Sequence, residues 1–170
     1  MDYHRSSVPW NTLATWQEAN ACMAYTIRQN QAVLAESRRQ AHQIKRLLES
    51  TFPRMDRLCR KTCPDCTDIC CHKAWVWVDF KDLLFLHLAG IPAPGHQLLS
   101  REENNCRYGG SNGCRLDRIR RPFVCTWYLC PAQTQCLRKK PAEMQVIQMS
   151  LRQIKELRHE MERSFIWAVT

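Results

Sequence analysis

The sequence predicts a mainly α-helical fold, with two long antiparallel helices from the chain ends packed with a compact cysteine-rich module. Three observations carry this. Apolar residues recur at helical spacing near both ends of the 170-residue chain. Ten of the eleven cysteines lie in between, five of them in the thirteen residues from Cys59 to Cys71. Glycine is scarce, with only 5 residues, which argues against an all-β fold built on tight turns and against a glycine-rich phosphate loop. With 45% hydrophobic residues the chain can bury a real core, and its length fits a single domain over residues 1–170.

Taken in order, residues 1–10 read as a lead-in. From Thr12 onward, Leu13, Trp16, Met23, Ile27, Leu34, Ala41, Ile44 and Leu48 follow one another in steps of three, four or their sums. No glycine or proline interrupts before Pro53, so one long helix is expected over residues 12–52. Asn20, Asn30 and Ser37 weaken its apolar seam and would fix register against a partner helix. The opposite face carries Arg28, Arg38, Arg39, Lys45 and Arg46. A helix of ~40 residues spans ~60 Å, so it must break, pack on another long helix or self-associate.

Pro53–Leu58 reads as a short lead into the cysteine module, residues 59–136. Residues 74–78, AWVWV, have the β-branched and aromatic character of an extended segment. Asp79 fits an N-cap with Asp82 at the third helical position, opening a mostly apolar, buried helix to Ala89. Gly90 fits the position after that helix, and Pro92 follows where it cannot continue. Residues 91–105 read as a loop, and YGGSNG between Cys106 and Cys114 as a turn. RRPFVC suggests a proline-started helical turn presenting Cys125, and Pro131 should limit any helix beyond Cys130. Pro141 is a favoured first helical residue. Met144, Ile147, Leu151, Ile154, Met161 and Phe165 then give a C-terminal helix, residues 141–168, whose stripe packs on the N-terminal one.

No run of ~18 apolar residues indicates a membrane span. The first residues lack the apolar stretch of a signal peptide, so a cytoplasmic location is expected. In a reducing compartment a dense set of cysteines points to metal rather than disulfides, and eleven is an odd number for a closed disulfide framework. The net charge is +9, and residues 101–140 hold nine basic against three acidic side chains. Arginines near thiolates offset their charge and donate hydrogen bonds to sulfur. That account is favoured over a nucleic-acid surface, because no nucleic-acid motif accompanies the charge.

Cys63-x2-Cys66 is a two-ligand bite: two intervening residues let the backbone turn so that both sulfurs face one ion. Zinc takes four such ligands, and an iron–sulfur cubane takes four cysteines, so a count does not separate them. Cys59-x3-Cys63-x2-Cys66 is also the spacing of radical enzymes that use S-adenosylmethionine. Those need a large α/β barrel, for which this chain lacks both length and alternating elements.

CPDCTDICC, then Asp79, then CRYGGSNGCRLDRIRRPFVC, together resemble the YkgJ-type cysteine-cluster family, described as a zinc- or iron-chelating domain. The resemblance covers about residues 59–130 and not the long helices. It implies Cys63, Cys66, Cys70, Cys71, Cys106, Cys114 and Cys125 as metal ligands, with Asp79 and the Arg121–Pro122 pair. The chain departs from the family in having three residues between Cys66 and Cys70, Thr67 in place of a glycine, and Asp117 in place of an aromatic. The extra residue leaves open which of Cys70 and Cys71 faces a metal. The resemblance also reaches a much longer flagellin lysine methylase, whose activity does not carry over.

Cys130, five residues after Cys125, is a candidate to complete a second set of four; Cys59 and Cys136 are weaker candidates. Cys22 reads as a small core residue. His72 is redundant beside so many cysteines, and His87 reads as a satisfied core histidine. Trp75, Trp77, Trp127 and Tyr128 are expected to wall the cluster from water. No catalytic constellation stands out: Asp65, Asp68 and Asp79 are explained by solvation or capping. The expected function is metal binding through thiolates, with an iron–sulfur cluster for electron transfer or redox sensing. The alternative is a zinc-stapled module that binds a protein or, less favoured, a nucleic-acid partner. Self-association through the long helices is a further expectation.

Overall fold

The structure is a computed structural model that describes residues 8–64, 66–67, 75–99, 106–110 and 113–170. Two thirds of the described residues are helical. Among them the helices are α1 (Leu13–Gln29), α2 (Ala35–Thr62), α3 (Phe80–Leu88), α4 (Val124–Trp127), α5 (Pro131–Arg138) and α6 (Pro141–Val169). The only paired strands among the described residues are β1 (Gly109–Gly110) and β2 (Gly113–Cys114), an antiparallel pair with Gly109 opposite Cys114.

The expected helix over residues 12–52 is two helices. Asn30 ends the first: its backbone N–H and its side-chain Nδ2 both donate to the Thr26 carbonyl, at 3.2 and 2.9 Å. Its side chain thus offers the backbone a local alternative to a further helical turn. Leu34, wholly buried, anchors the restart. The second helix then runs on through Pro53, so Pro53–Leu58 is helix rather than a separate lead-in. Pro53 cannot donate to the Glu49 carbonyl and sits on the exposed side. The Thr51 and Ser50 hydroxyls both donate to the Leu47 carbonyl just before it. Continuing the helix puts Cys59 on α2 and leaves Cys63 as its C-terminal cap.

It is α2, not α1, that packs on the C-terminal helix. Arg57 of α2 pairs with Glu143 of α6 at 3.3 Å, while Arg39 at the other end of α2 feels Glu160. The two therefore run antiparallel. Their seam is Ala41, Ile44, Leu48, Met55 and Leu58 against Ile147, Leu151, Ile154, Leu157 and Met161, all buried. Ser37 and Gln40 lie buried at the α2 end, and Ser37 Oγ and Gln40 Oε1 have no hydrogen-bond partner.

Helix α3 supplies the next layer. Asp79 caps it, with reciprocal bonds to Asp82 at 2.7 and 3.2 Å, and Gly90 at φ 66° lets Ile91 N–H return to the Leu86 carbonyl at 2.8 Å. Leu83, Leu84, Leu86 and Leu88 join Trp16, Met23 and Ile27 of α1 and Ile44 and Leu48 of α2 in one apolar cluster. A second, smaller cluster holds Met55, Leu58, Leu137, Ile147 and Leu151 at the other end of the α2–α6 pair. Burial of five leucine-sized side chains there is worth on the order of 10 kcal/mol before conformational entropy is charged against it.

Residues 75–79 are extended, with Val76 and Val78 buried. Their partner is a side chain, not a strand: Gln97 accepts the Val78 N–H at 2.7 Å and donates to the Val78 carbonyl at 3.1 Å. Pro131 begins α5 at its first position instead of limiting a helix, with Cys130 as the N-cap. No described helix is long and apolar enough to cross a membrane.

Candidate metal centre

Cys106, Cys114 and Cys125 come together from three different local structures. Cys106 is buried and bridges to Leu99; Cys114 ends the small hairpin; Cys125 rides on the single turn α4. Pro122 starts that turn, its carbonyl accepting the Cys125 N–H at 2.9 Å. Burial pushes the Cys125 thiol up to about 12, and the neighbouring Cys106 and Cys114 push the same way, against the pull of Arg121. Burial also raises Cys106, against the opposing pull of the Tyr108 and Gly109 backbone amides. The Gly109 N–H itself bonds the Cys106 carbonyl at 3.0 Å, which closes the turn that follows Cys106.

The neighbouring arginines are tied into this region. Arg121 donates to the Leu116 carbonyl at 2.9 Å and the Cys114 carbonyl at 3.5 Å. Arg120 holds the carbonyls of Pro92 and Ala93, and Arg115 that of Arg107. Arg115, Arg120 and Arg121 of the basic block thus each spend donors on backbone carbonyls of the fold.

Beneath Cys125 lies a buried charge network that the sequence did not disclose. Asp82 is 5% exposed and Arg158 6%. Arg158 reaches Asp82 at 2.7 Å and Asp79 at 3.2 Å, and its guanidinium lies 5.0 Å from the centre of the Phe123 ring. Asp82 also accepts the Phe123 N–H at 2.9 Å, two residues before Cys125. Burial pushes the Asp82 carboxyl up to about 6, against the pull of Arg158. The sequence marks Asp82 only as part of a cap. Its spacing from Asp79 could have suggested the box, but nothing local marks Arg158 as its partner.

A further set of polar contacts, centred on Cys59, lies where α2 meets α5. Cys59 Sγ accepts from Arg118 Nη2 at 3.4 Å and from Gln133 Nε2 at 3.5 Å. Arg118 also donates to Asp56 at 2.7 Å. Burial works against its charge, and Cys59 and Asp56 more than restore it. Gln133 Oε1 accepts the Cys130 N–H at 3.4 Å. Cys63 follows Cys59 by one helical turn, and its N–H closes onto the Cys59 carbonyl at 2.8 Å. A turn bond of 3.2 Å from Cys66 N–H to the Cys63 carbonyl shapes the two-ligand bite. Cys136 packs on the smaller apolar cluster.

Of the expected ligands, Cys70 and Cys71 lie outside the described residues, as do Asp65, Asp68 and His72. Among the described residues, no three cysteine, histidine or acidic side chains are drawn tightly enough together to hold a metal ion as they stand. Cys22 is exposed, not a core residue. Trp75, Trp127 and Tyr128 are 43%, 50% and 47% exposed, so they face solvent instead of walling the thiols from it. His87 is satisfied by Asn20 at 3.1 Å, and burial lowers its basicity. Comparison of the chain with protein-family models, curated proteins and solved structures gives no match.

Proposed function

We propose that the chain is a metal-binding protein that holds an iron–sulfur cluster through cysteine thiolates, serving electron transfer or redox sensing. The observation that carries the reading is the meeting of Cys106, Cys114 and Cys125, brought from three different local structures. Cys106 and Cys125, whose ionisation is opposed by burial and by the neighbouring thiols, are poor isolated thiolates. A bound cation reverses that cost, because it is the largest local charge and deprotonates its sulfur ligands. Cys63, Cys66, Cys70, Cys71 and Cys130 are the remaining proposed ligands, by the motif resemblance to the YkgJ-type family and by the excess of cysteines over one set of four. The cluster would supply one-electron redox chemistry. The chain's own part is to aim the Arg118 guanidinium at the Cys59 sulfur and to fix Cys125 through Asp82 and Phe123.

The test is purification without oxygen, followed by a visible spectrum and assays of iron, zinc and sulfide. Iron with matching sulfide, lost in Cys114→Ser and Cys125→Ser, is the expected result. Zinc without sulfide would replace the cluster by the structural-zinc alternative. A chain with no bound metal, or with metal unaffected by both substitutions, overturns the reading.

A further inference from the structure

We infer that the outward face of α2, continued by Arg138–Lys140, binds the phosphate backbone of double-stranded nucleic acid. The inference stands apart from the metal reading and uses no cysteine. Helix α2 carries eight lysines and arginines against three acidic residues. Its buried positions, among them Ala41, Ile44, Leu48, Met55 and Leu58, face the apolar clusters shared with α3 and α6. Helical spacing leaves the cations on the other side: Arg46, Arg57, Arg60 and Lys61 are exposed, Arg38 and Lys45 half-buried. Two of the three acids are already engaged. Glu36 holds Arg39 at 2.6 Å, and Asp56 holds Arg118 at 2.7 Å. Among the described residues, the side chains of Arg38, Lys45, Arg46, Arg60 and Lys61 find no ion pair. Arg115, Arg120 and Arg121 differ, since backbone carbonyls hold them.

The surface does not stop with the helix. Glu143 of α6 accepts from Arg57 at 3.3 Å and from Lys140 at 3.4 Å. It thereby seats the exposed Arg138–Lys140 link beside the last turns of α2. At 1.5 Å per residue the 28 residues of α2 span about 42 Å. Duplex DNA presents a phosphate about every 1.7 Å of its axis, so the row of cations meets a row of anions of the same extent. The side chains that α2 does not expose select among polyanions. Among the described residues, the large apolar side chains that reach solvent lie elsewhere, and none is on α2. A membrane-surface helix needs an apolar face free to enter lipid, and that of α2 is buried in the fold. A protein interface is built on aromatic or aliphatic anchors. Single strands are gripped by aromatic rings on which bases stack. Duplex phosphates need cations alone, and they suit arginine, which supplies six of the eight here. Such contacts read no base, so the binding is independent of sequence.

The test is fluorescence anisotropy of a labelled DNA duplex of roughly 20 base pairs and arbitrary sequence, titrated with the full chain over a range of salt. About five or six phosphate contacts predict a slope near −5 when log affinity is plotted against log salt. Lys45→Gln, Arg46→Gln and Arg60→Gln together should weaken binding at least about tenfold and make the slope shallower by roughly 2 to 3. Glutamine forms helix about as well as the residues it replaces, and these side chains hold no partner, so helical circular dichroism should not change. The control removes the same charge from exposed sites on α1 and α6, by Arg28→Gln, Arg152→Gln and Arg163→Gln. It should weaken binding less than about threefold, because those sites lie off the surface. Arg46→Lys with Arg60→Lys keeps the charge and should keep the slope. The proposal is overturned if the chain binds no duplex at about 50 mM salt. It is overturned if both triple variants lose affinity equally, since net charge alone then accounts for binding. It is overturned also if phosphatidylserine vesicles or polyglutamate displace the duplex at equal concentration of charge, which would assign the face to a membrane or an acidic protein. The metal reading is judged on iron, zinc and sulfide, so the two fail separately.

Discussion

Replacing Arg158 by methionine removes the cation placed against the buried Asp82 carboxylate. Asp82 is 5% exposed and Arg158 6%, with 2.7 Å between their charged atoms. Breaking a buried pair by taking one partner costs about 3–5 kcal/mol, because the other charge stays buried without compensation. Methionine keeps most of the contact with Phe123, so the loss reads the charge more than the packing. Set against a total stability of about 5–15 kcal/mol, this is a large fraction. Urea unfolding followed by circular dichroism should show the midpoint falling by on the order of 1–3 M. Arg158→Lys should fall between, since an ammonium cannot reach Asp79 and Asp82 together while lying on a ring. The double variant Asp82→Asn with Arg158→Met should cost at least about 1.5 kcal/mol less than the sum of the single changes. A loss below about 1 kcal/mol in Arg158→Met, or full additivity in the cycle, would refute the claim that this pair locks α3, α6 and the Cys125 turn together.

The remaining predictions follow from the same frame. Pro53→Ala restores an N–H to the Glu49 carbonyl in the middle of α2 and should stabilise by about 2 kcal/mol after allowance for a freer unfolded chain, read as a higher urea midpoint. Ser37→Ala removes a buried hydroxyl without a partner and should raise stability by about 1 kcal/mol in the same assay; a loss of stability would mean that the hydroxyl is satisfied. Asp82 gives a pH signature of unusual sign. Its carboxyl sits at about 6 when folded and 3.8 is its ordinary value, so between the two the native state holds a proton that the unfolded state has released. Stability from this group is therefore greatest at the acid side and falls by up to about 3 kcal/mol as pH rises through that window. Glu36 and Glu143 are lowered and work the other way, so the quantity to measure is the slope difference between the parent and Asp82→Asn. Equal slopes would exclude the raised carboxyl.

Much of the helical frame was legible because periodicity reports burial. The stripe from Ala41 to Leu48 and that from Ile147 to Phe165 both point into the core. What misled was continuity. The apolar spacing runs through Asn30, and no glycine or proline marks a stop there, so the pattern read as one helix. The break comes from a side chain bonding back to its own helix, which competes with the next turn without disturbing the hydrophobic period. Pro53 misled in the opposite direction. A proline argues for a boundary, but α2 is held on both sides of it by packing against α6, and tertiary burial outweighs the lost bond. Leaving Pro53 inside the helix moved Cys59 from an expected loop onto a rigid element.

The thiol region was legible as chemistry but not as geometry, and the reason lies in how its parts are joined. Cysteine spacing can announce a local bite such as Cys63-x2-Cys66, because two residues set the turn. It cannot announce that Gln133 will span Cys59 and Cys130, or that Arg158 will cross from the C-terminal helix to settle beneath Phe123. The Gln133–Cys59 bond joins residues 74 positions apart, and Arg158 reaches Phe123 from a separate helix, so both contacts are chosen by the helical frame. The frame also decides what the thiols can do. Cys125 is fixed through Phe123 to a buried ion pair, while Cys106 and Cys114 come from the turn and hairpin before it. As they stand, the three thiols are not drawn tightly enough together to hold an ion. A metal taken up there, as proposed, would have to draw them closer, so the amide hydrogens of Cys106, Cys114 and Cys125 should gain exchange protection when metal is added; unchanged exchange would count against the proposed centre.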